Sequence, residues 1–206
     1  MADVGRGRGV RLVGRAGERC DPIAGATGRT YDLGAEELGH TLRVVVTATN
    51  DGGIGRAASA TTVPVVPLAP RSLADPTISG STRAGETLTA LAGAWSGTQP
   101  LSFAYQWQRC DGDCTDIPGA TGQTYTTGVG DVDATIRVAV TARNAADSAH
   151  ATSARVGPIV AVAPSSTRRP SITGSAVDGS TLTGDPGVWT GTDPIAFAYR
   201  WQRCHW

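Results

Sequence analysis

Apolar and polar residues alternate with a period of two along the middle of the chain, as a strand with one buried face requires. The clearest cases are the segments LSFAYQWQRC, which starts at Leu101, and TIRVAVTARN, which starts at Thr135. The inward face of these two predicted strands carries Phe103, Tyr105, Trp107, Ile136, Val138 and Val140. Helical spacing is absent, and turn clusters such as SGTQP, PGATG and GDVDA separate shorter strand candidates. The pattern predicts an all-β chain with these six residues as its structural core.

The chain contains an internal sequence repeat with a period of 94 residues. Residues 76–110 recur at 170–204 with 20 identities in 35 positions, and residues 20–50 recur at 114–144 with 16 identities in 31. Only the central copy is complete. We predict six segments: a non-matching N-terminal segment at 1–13, the C-terminal half of repeat 1 at 14–67, a linker at 68–75, the complete repeat 2 at 76–163, a linker at 164–169 and the N-terminal half of repeat 3 at 170–206.

The complete copy holds about seven short strands in roughly 90 residues, with a turn every 8 to 12 residues or so. That spacing is typical of an antiparallel β-sandwich of immunoglobulin type, whereas a βαβ arrangement needs helical segments. The predicted fold class is therefore tandem Ig-like antiparallel β-sandwiches, with one complete copy flanked by two half copies.

Five motifs in the central copy carry a family resemblance. They are P-x-I-x-G, the G-x-W-S-G-T turn at Trp95, Y-Q-W-Q-R-C at Trp107, I-x-G-A-T-x-x-T-Y, and R-V-x-V-T-A-x-N. Together they resemble the tandem Ig-like repeats of secreted and cell-surface proteins from bacteria with GC-rich genomes, over about residues 16 to 204. The resemblance implies spacers, adhesion stalks or accessory modules beside an enzyme, and no catalytic residues. Residues 1–13 depart from it, since Val13 stands where Trp107 would be.

Composition and charge narrow the choice of partners. Eighteen basic residues balance 18 acidic ones, so no long-range field favours nucleic acid, and we expect no nucleic-acid partner. No run of about 18 apolar residues occurs, which predicts no membrane insertion by this chain. The N-terminus lacks the pattern of a signal peptide, so any export signal is expected to lie outside these residues. With the family resemblance, the predicted location is extracellular or at the cell surface.

Cys110 and Cys114 are separated by Asp-Gly-Asp at the end of the Trp107 strand, close enough to form a disulfide across a turn. The alternatives are two free thiols or, less readily, a metal site, because C-x3-C alone leaves zinc under-coordinated. We expect the disulfide and no cofactor or metal. Cys20 and Cys204 have no local partner at the corresponding positions.

The two half copies are complementary parts of one repeat. Each would leave apolar residues of its inward face without an opposing sheet, so possible head-to-tail self-association between chains is one expectation. The other is that the sequence is a slice of a longer repeat protein whose neighbouring Ig-like repeats are its partners.

Other candidate groups have structural explanations. Trp95 and its counterpart Trp189 could stack on a sugar ring, but packing at the end of a sandwich is favoured. Asp111, Asp113 and Asp116 lack the pattern of a calcium loop and are interpreted as solvated turn acids. Asp131 is interpreted as a turn cap. No hydrolase, zinc-protease or P-loop motif is present, so no catalytic residues are assigned.

Two function classes remain. The favoured one is a non-enzymatic structural spacer or adhesion-stalk module. The alternative is an accessory binding module of a larger secreted enzyme, with carbohydrate as the first candidate ligand. A line of exposed aromatic residues on one sheet face would support the alternative, and the outward residues Gln106, Gln108, Thr135, Arg137 and Thr141 contain none. We therefore expect a spacer.

Overall fold

A computed structural model describes residues 19–205, so the segment predicted at 1–13 lies outside the described residues. The chain divides into two compact units, residues 1–36 and 37–206. The described part of the first unit, residues 19–36, contains turns and no strand. The second unit holds the strands β1 Val45–Asn50, β2 Gly53–Ala58, β3 Arg71–Ala74, β4 Thr77–Gly80, β5 Thr87–Leu91, β6 Ala94–Ser96, β7 Ser102–Asp111, β8 Asp113–Asp116, β9 Thr124–Thr126, β10 Thr135–Arg143, β11 Ser148–Thr152, β12 Ser165–Arg168, β13 Ser171–Thr173, β14 Thr183–Asp185 and β15 Val188–Thr190. Two 3-10 helices, η1 Ala35–Glu37 and η2 Val129–Asp131, complete the elements of the described residues.

Two larger antiparallel sheets form most of the central copy, and β6 pairs separately with β3. One has four strands in the order β11-β10-β7-β8, and the other has three in the order β4-β5-β9. The long pairing of β10 with β7 places Val138 opposite Trp107 and Val140 opposite Tyr105. The chain is therefore all-β, as the alternating pattern predicted, and its antiparallel sheets are consistent with a β-sandwich.

One hydrophobic core joins the two sheets. Its buried members are Leu88, Ala90, Trp107, Ile117, Ile136, Val138, Val140 and Ile159, with Tyr105 packed partly buried against them. Leu88 and Ala90 come from β5 of the three-stranded sheet, while Trp107 and Val138 come from the four-stranded sheet. Both sheets thus contribute to the same interior.

Phe103 is not a core residue, contrary to the sequence-based expectation. Its side chain is 40% exposed, and its ring lies 6.2 Å from that of Trp95. Phe103 is the second residue of β7, at the end of the strand, so Trp95 covers one side of the ring and solvent reaches the rest. Alternation identified its face correctly but not its distance from the middle of the sheet.

Both predicted linkers contain a strand. β3 pairs with β6 and β12 pairs with β15, in each case with an irregular register. The residues assigned to linkers at 68–75 and 164–169 therefore join the sheet structure of the copy that follows them.

The half copies have few strands. β1 and β2 form an isolated hairpin whose twelve residues are all exposed. β13 pairs only with β14, and residues 194–205 are in no strand. The apolar faces predicted for these halves are consequently open to solvent.

Candidate functional site

The chain at β3 lies close to residues 93–98 of the central copy. These residues form the turn that contains Trp95, here called the tryptophan turn. Gly93 has φ +82° and Gly97 has φ +136°, both in the region that favours glycine. A Cβ on Gly93 would collide with the carbonyl oxygen of Ala74, and one on Gly97 would lie 3.0 Å from the Cα of Pro70. Trp95 donates from Nε1 to the carbonyl oxygen of Ala92 at 2.8 Å. The two glycines of the G-x-W-S-G motif therefore make room for the incoming chain.

Three hydrogen bonds hold Leu68 at the start of the linker, and a fourth joins Asn144 to the tryptophan turn. Leu68 N donates to Thr98 Oγ1 at 2.8 Å, and Thr98 N donates to the carbonyl oxygen of Leu68 at 2.9 Å. Asn144 Nδ2 donates to the carbonyl oxygens of Leu68 at 2.7 Å and Thr98 at 2.8 Å. We call this set, Leu68, Thr98 and Asn144, the junction clamp. The clamp sets the direction in which the chain enters the central copy.

The side-chain amide oxygen of Asn144 accepts a second set of hydrogen bonds. It accepts hydrogen bonds from the backbone N–H of Ala146 at 2.9 Å and of Asp147 at 3.3 Å, which shapes the turn after β10. Asn50, 94 residues earlier, accepts the corresponding bond from Gly52 N at 2.9 Å. The turn role is therefore common to both asparagines.

The same junction recurs at the second linker. Val162 N donates to Thr192 Oγ1 at 2.7 Å, and Thr192 N donates to the carbonyl oxygen of Val162 at 2.9 Å. A Cβ on Gly191 would lie 3.0 Å from the Cα of Pro164, as at the first junction. Trp189 repeats the bond of Trp95, donating to the carbonyl oxygen of Pro186 at 2.8 Å. The two junctions thus share the threonine bonds, the glycine contact and the tryptophan bond.

An open cleft of about 620 Å³ lies beside the first junction. Its lining includes Leu38 and Pro67 from the preceding copy and Pro100, Leu101 and Arg143 from the central copy. Its walls are mostly aliphatic, and no aromatic side chain lines it. A sugar ring would therefore find no stacking platform there.

Asp131 is the centre of a buried polar cluster that sequence reasoning missed. Its side chain is 1% exposed. Oδ1 accepts from Arg109 Nε at 2.7 Å and pairs with Arg109 Nη2 at 2.6 Å. Oδ2 accepts from the Tyr125 hydroxyl and from Gly128 N, both at 2.7 Å. The carboxylate satisfies four donors and ties together β7, β9 and η2.

The cluster perturbs two ionisation equilibria. Burial, followed by the hydrogen bond to Asp131, raises the pKa of Tyr125 to about 12. The hydrogen bond to Asp131 raises the pKa of Arg109 above its ordinary value. Shifted pKa values also occur at catalytic sites. Here, however, the Asp131 carboxylate does not face a cleft, and its hydrogen-bond partners are all residues of the fold. The cluster is therefore a structural feature.

Cys110 and Cys114 form the predicted disulfide, with Cα atoms 4.0 Å apart. They are directly opposite each other in the β7–β8 hairpin, and Gly112 at its tip has φ +78°. Cys20 and Cys204 are free and exposed.

Polar side chains cover the outward face of the four-stranded sheet. Arg137 Nε donates to Gln108 Oε1 at 2.6 Å, and Gln108 Nε2 donates to Asp116 Oδ1 at 2.7 Å. Trp95 and Trp189 are half-buried, and Trp95 packs against the core. Neither tryptophan stands on this outward face.

No group of three or more potential metal ligands occurs among residues 19–205, and Asp111, Asp113 and Asp116 form none. In the same part of the chain, no helix is long and apolar enough to cross a membrane.

Comparison with protein-family models, curated proteins and solved structures finds no match for the chain.

The sequence did not predict the junction clamp or the Asp131 cluster. One signal for the clamp was available, because Thr98 and Thr192 are identical across the repeat, as are Asn50 and Asn144. For the cluster the signal was Arg109, which continues the inward alternation beyond Trp107.

Proposed function

We propose that the chain is a non-enzymatic spacer or adhesion-stalk segment, built from tandem Ig-like repeats of an extracellular or cell-surface protein. The observation that carries this proposal is the junction, whose paired threonine hydrogen bonds and glycine contacts recur 94 residues apart, at Leu68–Thr98 and at Val162–Thr192. A stalk needs a defined direction between consecutive repeats, and a linker fastened at its first residue supplies it. A flexible tether would leave such a linker free.

The disulfide and the outward face support the same proposal. A structural disulfide is typical of oxidising compartments outside the cell. Hydrogen bonds among side chains occupy the outward sheet face, and the partly buried tryptophans donate to their own turns. These features suit a central copy whose outward sheet face is stable in water and presents no aromatic platform to a sugar.

The proposal predicts that Asn144→Ala loosens the first junction. The substitution removes the Nδ2 bonds to the linker residue Leu68 and to Thr98 of the turn. Amide hydrogen exchange at Leu68 and Thr98 should therefore accelerate by about tenfold, the factor expected for about 1.4 kcal/mol. Asn50→Ala is the matched control, because it removes the corresponding turn bond and leaves the Leu68–Thr98 clamp intact. Equal exchange rates in the two variants would contradict a clamped junction.

Binding assays separate the spacer from the accessory module. Tryptophan fluorescence of the full chain should remain unchanged across a panel of soluble polysaccharides and oligosaccharides. Saturable quenching by one glycan, lost in Trp95→Ala, would favour a carbohydrate-binding module instead.

A further inference from the structure

The central copy is entered at one end of its strands and left at the other end. On the entry side, Leu68 is bonded to Asn144, which follows the last residue of β10. On the exit side, Asp133 N donates to the carbonyl oxygen of Ile159, and Ile159 N donates to that of Ala134, both at 2.9 Å. Ala134 directly precedes β10, whose nine residues span roughly 30 Å. A pull from the two sides of the copy therefore acts along its strands.

Residues 82–84 and Val160 lie side by side and run in the same direction. Arg83 and Val160 form a parallel bridge. Val160 N donates to the carbonyl oxygen of Thr82 at 2.8 Å, and Ala84 N donates to that of Val160 at 3.0 Å. We call these two backbone hydrogen bonds the parallel pair. Because both segments run in the same direction, tension pulls residues 82–84 toward the entry end and Val160 toward the exit end, so both bonds are sheared together.

Each side of the parallel pair is fixed to a different sheet. Thr127, which is 2% exposed, follows β9 of the three-stranded sheet. Its hydroxyl donates to the carbonyl oxygen of Arg83 at 2.7 Å, and its carbonyl oxygen accepts from Gly85 N at 2.8 Å. On the other side, Ile159 is fully buried and is bonded to Ala134, just before β10 of the four-stranded sheet. The parallel pair thus joins the two sheets, and one segment cannot slide past the other without breaking it.

We propose that the central copy bears tension along its strands, and that the parallel pair sets its resistance to forced unfolding. This inference rests on the proposed stalk function, because each segment of a stalk transmits force between its two ends. The force arrives at Leu68 and leaves at Val162, the two residues that threonine side chains fasten at the junctions. Rupture of the parallel pair frees the 78 residues from Arg83 to Val160.

The rupture of the parallel pair has a recognisable length. The 78 residues behind it extend to about 260 to 280 Å. Release of β3 and β4, which precede the pair on the pulled chain, adds only the 14 residues 69–82, or about 50 Å. The Cys110–Cys114 disulfide lies in the long segment and holds two Cα atoms 4.0 Å apart, so reduction with dithiothreitol should lengthen the long step by about 10 Å. That change identifies the step as the central copy.

The direction of pulling tests the proposal while the fold is unchanged. With Cys20 and Cys204 replaced by serine, the full chain is held at constant force by tags at both termini, which shears the parallel pair. In a second tether, a handle on Glu86→Cys takes the place of the N-terminal tag. Glu86 is exposed and lies two residues beyond Ala84 on the chain, so this pull opens the two bonds one after the other.

The lifetime of the central copy under force should depend on this direction. We expect it to be at least about tenfold shorter in the second tether at equal force, because one bond rather than two then resists at each moment and tenfold is the factor for about one hydrogen bond. Equal lifetimes in the two directions would overturn the proposal, because the parallel pair would then not set the resistance.

Two proline variants test the bonds themselves. Val160→Pro removes the N–H donor of the shorter bond of the parallel pair, at a residue whose side chain is 52% exposed. The matched control is Thr115→Pro on the edge strand β8, which is not part of the pulled segments. Ile117 N donates to the carbonyl oxygen of Trp107, so the alternation of the antiparallel ladder places Thr115 N on Arg109. Each variant therefore loses one backbone hydrogen bond at an exposed residue.

The two variants should differ under force and agree at equilibrium. Both should lower the urea midpoint by similar amounts, but only Val160→Pro should shorten the lifetime between the terminal tags, by about tenfold. Thr115→Pro should change that lifetime by less than about threefold. An equal change in the two variants would refute the role of the parallel pair, because a general loss of stability would explain it. The two tethers decide the question if Val160→Pro does not fold.

The force measurements and the glycan assay fail independently. Equal lifetimes in both pulling directions, with no glycan bound, would overturn the tension-bearing role and leave a passive spacer. Saturable quenching by a glycan, together with the expected difference between the tethers, would support the parallel pair and overturn the spacer function alone.

Discussion

Replacement of Asp131 by asparagine tests whether the buried carboxylate stabilises the central copy. In the native protein its two oxygens accept hydrogen bonds from Arg109, Tyr125 and Gly128. Asparagine has nearly the same shape but presents an NH2 group in place of one oxygen. In either orientation of the amide, its NH2 group faces hydrogen-bond donors of the neighbouring residues, where the carboxylate oxygen had accepted.

The cost can be estimated from this geometry. If the NH2 group faces the hydroxyl of Tyr125, that hydroxyl can rotate to accept, but Gly128 N–H loses its acceptor in a site that is 1% exposed. One lost bond to a charged group is worth about 1.5 to 3 kcal/mol. The weakened attraction to Arg109 adds no more than about 1 kcal/mol, since that side chain is 38% exposed and screened by water. The expected loss is about 3 kcal/mol.

Native-state hydrogen exchange of the β10 amides measures this loss. A destabilisation of about 3 kcal/mol raises the population of the open state, and hence the exchange rates, by about a hundredfold. Asp133→Asn is the matched control, because Asp133 is exposed and asparagine tolerates its positive φ of 68°. It should change exchange by less than about threefold. If Asp131→Asn left the rates unchanged, or if both variants changed them equally, the carboxylate would not be the stabilising group.

Three further predictions concern the same copy. Trp107→Ala should cost about 3 to 5 kcal/mol, because the indole is fully buried and donates to the carbonyl oxygen of Gly122; an unchanged thermal melt followed by circular dichroism would contradict this. Replacing Cys110 and Cys114 by serine should cost about 2 kcal/mol or less, given so short a loop, with faster exchange confined to the hairpin; loss of β10 protection would contradict it. Because the pKa of Tyr125 is raised to about 12 in the folded chain, from about 10 when unfolded, its stabilising contribution is complete below pH 10 and is lost as pH rises toward 12. The ultraviolet difference titration between wild type and Tyr125→Phe should show a phenolate transition near pH 12, and a transition near pH 10 would refute the burial argument.

Alternation predicted the strands of the core because a half-buried strand repeats every two residues. It placed β7 and β10 and assigned Trp107 and Val138 to the inward face, where the structure has them fully buried. The same pattern contains no information on where the opposing sheet ends. Phe103 and Arg109 share the face of Trp107, yet one lies at an open end and the other reaches a carboxylate.

The junctions were harder to predict because their strands owe little to side-chain patterning. β3 contains no alternating apolar residues, and a proline precedes it, which indicates a linker when the sequence is considered alone. What makes it a strand is the space left by Gly93 and Gly97, and that requires knowing which segment approaches them. Long-range hydrogen bonds from Asn144 to Leu68 are equally invisible to local periodicity.

The position of the clamp within the repeat bears on how a longer array would be built. Leu68, Thr98 and Asn144 belong to one linker and the copy that follows it, so the clamp does not depend on side chains of the preceding copy. Each repeat therefore brings with it the groups that fix the direction of its own entry, and Val162 with Thr192 repeats the arrangement. The cleft beside the first junction, in contrast, takes Leu38 and Pro67 from the preceding copy and leaves open space. An array made this way would fix each linker to the following repeat by hydrogen bonds, which suits the proposed stalk.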